Sequence, residues 1–308
     1  MSDYTPPAFQ SSYIPHPLSP SSRIHLITCS PPSSTNTTPI LLIHGLGSSA
    51  SFWLPALSTD VGRQLTADRQ VYAIDAYGHG ISDFVVQEDS LDRAAETVVG
   101  VIEGLVKESG KDKVVLVGHS MSGLVTSLVA ARRPDLIEKL CKPASQAILT
   151  LTLTTSPPVL LSPTLSLPTP NRESLLTRST TVLEPTGHLA ISSTVSSTGI
   201  SPLTHRSNPL CAPFIKHLIL TTKPQAYAQA CRNLASHPGW DADVSRIQCP
   251  VFILAGSEDY MVSTSEVEKR AAQVPKGKGS FEVMQGIGHW GGLEVPEKVA
   301  EALKRFVN

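Results

Sequence analysis

Ser120, Asp259 and His289 are the residues whose types and order suggest chemistry. Ser120 lies in Gly118-His119-Ser120-Met121-Ser122-Gly123, directly after the run Lys113 to Val117 and before a helical pattern, Leu124 to Arg132. A serine hydroxyl is a weak nucleophile until a base takes its proton. A sharp strand–turn–helix bend would expose it, and such a bend needs small residues because its backbone is strained and close-packed. Gly118 and Ser122 are the small residues two before and two after. The helix N-terminus offers free N–H groups and a positive dipole end to developing negative charge. Asp259 ends Gly256-Ser257-Glu258-Asp259, after the apolar run Val251 to Leu254. Glu258 competes with it, and the Gly-x-x-Asp spacing favours Asp259. His289 sits in Gln285-Gly286-Ile287-Gly288-His289-Trp290, between a strand at Ser280 to Met284 and a helix at Pro296 to Phe306. In such a set the imidazole takes the serine proton, and the carboxylate fixes its tautomer and stabilises its cation.

Acyl transfer also needs donors for an oxyanion. His44-Gly45-Leu46-Gly47 follows the run Pro39 to Ile43. The backbone N–H of Leu46, with that of Met121, would face a tetrahedral intermediate, one such donor contributing roughly 3–4 kcal/mol. Each residue also has a plainer reading. Ser120 could cap its helix, Asp259 could cap a helix at Ser263 to Ala272, and His289 could be a surface-loop histidine. His44, His79, His119 and Asp75 read as loop-holding residues, and His188 as a residue of a lid.

The elements that must position these residues are short apolar runs cut off by breakers. Ile40 to Ile43, Val71 to Ile74, Val114 to Val117 and Val251 to Leu254 each suit a strand buried on both faces of a parallel sheet. Helical patterns follow them, as at Ser90 to Glu108, so a mostly parallel α/β sheet is expected. Such sheets place active sites at the carboxyl ends of their strands. Residues 1–22 are rich in Pro and Ser and are expected to be irregular, with a first strand at Arg23 to Cys29. Residues 23–140 and 238–308 form the expected core. Residues 159–170 supply a core strand and hinge. Residues 171–237 break the alternation and read as a lid of small helices.

Five blocks resemble the α/β-hydrolase superfamily, in its order: HGLGSSASFW (44–53), DAYGHGISD (75–83), GHSMSG (118–123), GSEDYMV (256–262) and GIGHWGGLEVPE (286–297). The resemblance is to the branch with a helical cap, and within it to small esterases and lactonases of the 3-oxoadipate enol-lactonase type. It implies the α/β-hydrolase fold, with a mostly parallel central sheet, flanking helices and an inserted cap. It also implies a serine hydrolase cleaving a small carboxylic ester or lactone through an acyl-enzyme, with no metal or cofactor. A serine at the bend argues against dehalogenase and epoxide-hydrolase chemistry, which use aspartate there. The same three residues also suit hydrolytic C–C cleavage. A ligand-binding receptor with negligible turnover is an alternative of another class.

Residues 141–158 do not fit this pattern. Joining Glu138-Lys139-Leu140 to Val159-Leu160-Leu161 would make one buried strand, and the intervening 18 residues interrupt it. The segment reads either as translated intron sequence or as a genuine loop insertion. Cys141-Lys142 can be encoded TGTAAG, which contains a 5′ splice consensus. Pro158-Val159 can be encoded CCAGTN, which contains a 3′ AG. If the segment is translated and disrupts the sheet, an inactive product is a third expectation.

Composition narrows the partners. The 308-residue chain carries 25 Lys+Arg against 26 Asp+Glu, a net charge of -1, so nothing in its charge points to nucleic acid or an anionic membrane. Hydrophobic residues make up 41%, enough for a packed core, and no apolar run approaches a membrane span. The first 20 residues have no basic run with an apolar core, so no secretory signal is expected. The five cysteines lack zinc spacing and read as reduced core thiols of a cytoplasmic protein.

Overall fold

A computed structural model describes residues 8–29, 37–86, 89–138, 159–161, 169–239 and 244–307. Its strands are β1 (Phe9–His16), β2 (Ser19–Cys29), β3 (Ile40–Ile43), β4 (Val71–Ile74), β5 (Val115–His119), β6 (Val159–Leu161), β7 (Val251–Gly256) and β8 (Gly279–Met284). They form one sheet in the order β1-β2-β4-β3-β5-β6-β7-β8. From β4 to β8 across the sheet all pairings are parallel, while β1 and β2 are antiparallel additions at one edge. Strands β3, β4, β5 and β7 are buried along their whole length. That is why they read as unbroken apolar runs rather than alternations.

Helices cover both faces. The core helices before the cap are α1 (Leu54–Leu57), α2 (Asp60–Asp68), α3 (Leu91–Ser109) and α4 (Met121–Arg132). The cap is α5 (Thr169–Thr181), α6 (Gly187–Thr198), α7 (Pro202–Ser207), α8 (Cys211–Thr221) and α9 (Pro224–Ser236). The chain returns to the core with α10 (Thr264–Gln273), α11 (Gly291–Glu294) and α12 (Pro296–Val307). Helix α3 shows how sequence sets these limits. Ser90 caps it by accepting from the Arg93 N–H, and Gly110 ends it at φ 66°. Its apolar stripe, including Ala95, Val98 and Ile102, is buried. Helix α4 is buried along 11 of its 12 residues because it lies between the sheet and α3. No helix among the described residues is long and apolar enough to cross a membrane.

The N-terminal expectation is corrected. Within residues 1–22, the described part is a β-hairpin rather than an irregular segment: β1 pairs with β2 from Phe9↔Cys29 to His16↔Ser19. Proline is tolerated because β1 is an edge strand, and the register shifts at Pro15/His16. Arg23 lies 4.7 Å over the Tyr13 ring, and Ser11 Oγ bonds His25 Nε2 at 2.8 Å. The cap helices run from Thr169 to Ser236, two residues earlier than the expected lid boundary.

The 141–158 insertion lies outside the described residues, but its flanks are informative. Ile137 bridges Val114 in parallel, and Val159 pairs with Val117. The strand position beside β5 is therefore entered at Ile137 and resumed at Val159. In register, two residues fit opposite Val115 and Leu116. Joining Leu140 to Val159 supplies three, and one β-bulge absorbs the extra residue. A chain lacking residues 141–158 is expected to keep the sheet and to unfold cooperatively at a temperature no lower than the full chain. Thermal unfolding followed by circular dichroism checks this; loss of the cooperative transition would show that the segment belongs to the sheet.

Candidate active site

Three parallel strands deliver the three residues to one end of the sheet. β5 runs into Ser120, β7 into Asp259 and β8 into His289. Ser120 Oγ lies 2.9 Å from His289 Nε2. His289 Nδ1 lies 3.0 and 2.9 Å from the two Asp259 carboxylate oxygens. All three residues are buried, with Ser120 8% exposed. The Asp259 carboxylate also accepts from the Met261 and Val262 N–H groups at 2.8 and 3.3 Å. These bonds fix the carboxylate, and a fixed carboxylate fixes the imidazole.

The plainer readings do not match this geometry. Ser120 stands at the N-cap of α4 but makes no side-chain cap bond. Its hydroxyl faces His289 instead. Helix α10 is capped by Ser263, whose side chain accepts from the Glu266 N–H, and not by Asp259. The competing Glu258 is exposed.

Ser120 adopts φ 53° and ψ -121°, a conformation that costs a non-glycine residue of order 1–3 kcal/mol. Close packing holds it there. A Cβ on Gly118 would meet the Ser122 carbonyl oxygen at 2.4 Å, and one on Gly45 would meet Ser120 Cβ at 2.7 Å. The Ser122 hydroxyl donates to the His44 carbonyl, so the serine that stands here ties the bend to the loop after β3. That loop brings Leu46 to the cleft beside Ser120. The N–H groups of Leu46 and Met121 have no partner among the described residues.

The neighbouring histidines hold loops. The His119 Nε2–H donates to the His289 carbonyl at 3.0 Å, and its ring stacks on Phe52 at 4.3 Å. His44 donates from Nδ1 to the Gly45 carbonyl and accepts from the Ala76 N–H at Nε2. His79 donates to the Tyr77 carbonyl. Asp75 accepts from the Ala50 and Ile81 N–H groups and bonds His25. Burial raises the Asp75 pKa, but these bonds and nearby His44 outweigh it and leave it below the ordinary value. His188 bonds the Ile219 carbonyl within the cap. Cys29, Cys211 and Cys231 are buried free thiols, the last two pushed up to about 12 chiefly by burial, and so are unreactive.

Three residues stand out that the sequence reading passed over. Glu294 is 7% exposed. It accepts from the Gly288 and Trp290 N–H groups, on either side of His289, and from the Ser201 N–H and Thr204 hydroxyl of the cap. The His289 N–H itself donates to the Gly199 carbonyl at 2.9 Å. Arg178 of α5 lines the cleft that contains Ser120 and His289, together with Tyr227 and Tyr260. Tyr260 lies with its ring 5.8 Å from that of His289, edge to face. A signal for Arg178 was present: it lies three residues after Leu175 and four before Val182, both buried. That spacing puts all three on one helical face.

An eight-stranded, mostly parallel sheet, helices on both faces, an inserted helical cap and a serine on the bend after β5 define an α/β hydrolase. Residues 40–302 match the model of the alpha/beta hydrolase family, and the chain belongs to that family. A similar curated protein is the (E)-2-((N-methylformamido)methylene)succinate hydrolase of Acinetobacter baylyi, 26% identical over 273 residues, covering 87% of this chain and 90% of that one. Among solved structures, the enol-lactonase of Burkholderia xenovorans superposes with a TM-score of 0.78 at 18% identity, over 96% of this chain and 99% of that one. A malate-bound thermophilic esterase of Thermogutta terrifontis superposes at 0.76 with 22% identity, over 97% and 98%. These likenesses establish the fold.

The buried histidines give the protein a sign of pH dependence. Burial, reinforced by a neighbouring histidine, holds His79 and His119 down at about 3 against an ordinary 6.5. The unfolded chain takes up both protons below about 6.5, whereas the folded chain resists until about 3. Their contribution is full above that unfolded value and is lost as pH falls through the window. The unfolding midpoint is therefore expected to drop steadily between pH 7 and pH 4, as read by scanning calorimetry. A flat midpoint there would contradict a neutral, buried pair.

Proposed function

We propose that the chain is a serine-dependent hydrolase of a small carboxylic ester or lactone, with Ser120 as nucleophile, His289 as general base and acid, and Asp259 as its orienting carboxylate. The observation that carries this is the 2.9 Å bond from Ser120 Oγ to His289 Nε2, made by a serine held in a strained bend and capping nothing.

The reaction follows from the geometry. The Ser120 hydroxyl donates to Nε2, and Nδ1–H donates to Asp259. As Oγ attacks the carbonyl carbon, the proton passes to Nε2 and Asp259 stabilises the imidazolium. The carbonyl oxygen gains charge between the Leu46 and Met121 N–H groups, which need no reorganisation to receive it. Collapse expels the alkoxide, which takes the proton from His289 and leaves an acyl-Ser120. Water then loses a proton to His289 as it attacks the acyl carbon, and the Ser120 oxygen takes that proton back as the acyl–oxygen bond breaks and the acid leaves. These groups suffice without a metal or cofactor. The neutral state of His119 keeps a second cation away from His289. The cleft is small, about 430 Å³ counted out to its open mouth, which favours a small substrate. Acyl-group hydrolysis is also consistent with the activity named for the Acinetobacter relative.

A fluorophosphonate probe read by intact mass tests the assembly. One adduct is expected on the full chain and none on Ser120→Ala. Turnover of aryl esters is expected to fall by roughly 10⁴-fold or more in Ser120→Ala and by roughly 10⁴-fold in Asp259→Asn, which leaves the imidazole in the wrong tautomer. An unlabelled, well-folded wild type would overturn the proposal.

A further inference from the structure

A second serine, histidine and aspartate stand in line toward the β1 edge of the sheet. Ser11 Oγ lies 2.8 Å from His25 Nε2, and His25 Nδ1 lies 2.9 Å from Asp75 Oδ2. The line through Ser120, His289 and Asp259 has nearly the same spacings, 2.9 Å at each step. The Asp75 carboxylate is also held as the Asp259 one is, by two backbone N–H groups. Here they are those of Ala50 and Ile81, at 2.6 and 2.9 Å. The three residues lie on β1, on β2 and just after β4, away from the strands that carry Ser120, Asp259 and His289.

Strand register builds this line. Tyr13 stands opposite His25 and Ser11 opposite Ile27, so Ser11 and His25 are diagonal neighbours on one face of the hairpin. Diagonal neighbours lie within reach of a long side chain such as an imidazole. The backbone of His25 is fixed from both sides. Its N–H donates to Ser82 Oγ, and its carbonyl accepts from the Asp75 N–H. His25 is buried, while Ser11 is exposed on the edge strand. With Nδ1–H given to the carboxylate, the neutral ring turns its Nε2 lone pair to the Ser11 hydroxyl. The ladder from Phe9 to His16 already closes the hairpin, so this bond is not needed to hold it. One part of the Ser120 arrangement is missing. Ser11 lies within a strand and not at a helix N-terminus, so it lacks the positive dipole end and paired N–H groups that serve Ser120. One oxyanion donor is worth roughly 10²–10³-fold in rate. Ser11 therefore needs an acyl donor whose leaving group departs readily.

We propose that Ser11 is a surface acyl-acceptor site, with His25 as its base and Asp75 orienting that base, and that it takes a small acyl group from an activated ester such as an aryl ester. The Ser11 oxygen bonds to the acyl carbon as its proton passes to His25 Nε2. The bond from the acyl carbon to the aryl oxygen then breaks, and the aryloxide leaves with the electron pair. The aryloxide takes the proton from His25, which restores the neutral ring. The products are an ester of Ser11 and a phenol. Water attacking that ester meets the same lack of oxyanion donors, so the acyl group persists. Ser11 is thus a site of modification and not a second site of turnover. The inference does not depend on the reading of Ser120.

The test removes Ser120 first. The full chain carrying Ser120→Ala is treated with p-nitrophenyl acetate, and the acetyl group is located by peptide fragmentation. Ser12 is the internal reference, since it is also exposed but alternates to the other face of the hairpin. Acetylation of Ser11 is expected to run about 100-fold or more faster than that of Ser12, the least a positioned base supplies. Its rate should level off with rising pH once the imidazole is neutral, while that of Ser12 keeps rising with hydroxide. Adding His25→Gln should bring the two serines within about threefold of each other. A brief exposure to fluorophosphonate leaves Ser11 unlabelled, because two missing oxyanion donors slow it by roughly 10⁴-fold or more. Four results would overturn the proposal: equal acetylation of Ser11 and Ser12, parallel pH profiles for the two, a Ser11 rate that survives His25→Gln, or acetyl carried by His25 and never by Ser11. If His25→Gln does not fold, the ratio and the pH profiles in the Ser120→Ala chain decide alone.

Discussion

Ser120 is held at φ 53° and ψ -121°, and much of the molecule serves to keep it there. The strain is of order 1–3 kcal/mol, which a marginally stable domain offsets only through surrounding bonds. Those bonds come from separate parts of the chain. The Ser120 N–H donates to the Leu161 carbonyl at the end of β6, and the Ser120 carbonyl accepts from the Gly123 N–H in α4. Ser122 reaches the loop after β3. Gly45 and Gly118 allow backbones to approach where any side chain would collide. Because β6 holds the bend directly, the strand interrupted by residues 141–158 is the one on which the bend leans.

Around this bend, buried polar groups are paired by hydrogen bonds. His44, His79 and His119 all hold loops by hydrogen bonds, and burial keeps each of them below its ordinary pKa. Asp75 and Glu294 are buried carboxylates satisfied largely by N–H groups. For Asp75 the donors outweigh burial and hold its carboxyl below the ordinary value. Each of the two ties distant segments together: Asp75 joins the loop after β4 to residues Ala50 and His25, and Glu294 joins the loop after β8 to the cap.

The sequence made the core and the Ser120, Asp259 and His289 cluster readable for physical reasons. Strands buried on both faces must be apolar throughout, so β3, β4, β5 and β7 stood out. A bend that only small residues permit marked Ser120, and glycines marked the His289 loop. What stayed hidden was set by partners far along the chain. The β1–β2 hairpin has no apolar alternation at its outer strand, because that strand is an edge with exposed Ser11 and Ser12. Glu294 looked like an ordinary residue before a helix; its four donors come from positions 201, 204, 288 and 290. Arg178 carried a periodic signal, yet its place in the cleft with Ser120 is a property of the assembled fold.

The bonds from Glu294 and Gly199 to the loop carrying His289 have an architectural consequence. The cap is not a detachable module resting on a finished His289 loop. The segment Gly199–Thr204 is part of the scaffold that sets the imidazole, since it supplies one acceptor to the His289 backbone and two donors to the carboxylate flanking it. Exchanging caps between relatives would therefore alter the placement of His289 together with pocket shape unless this short stretch travelled with the core. The divide between interchangeable and fixed runs through the cap itself, with α5 and α9 on the adaptable side and the turn into α7 on the other.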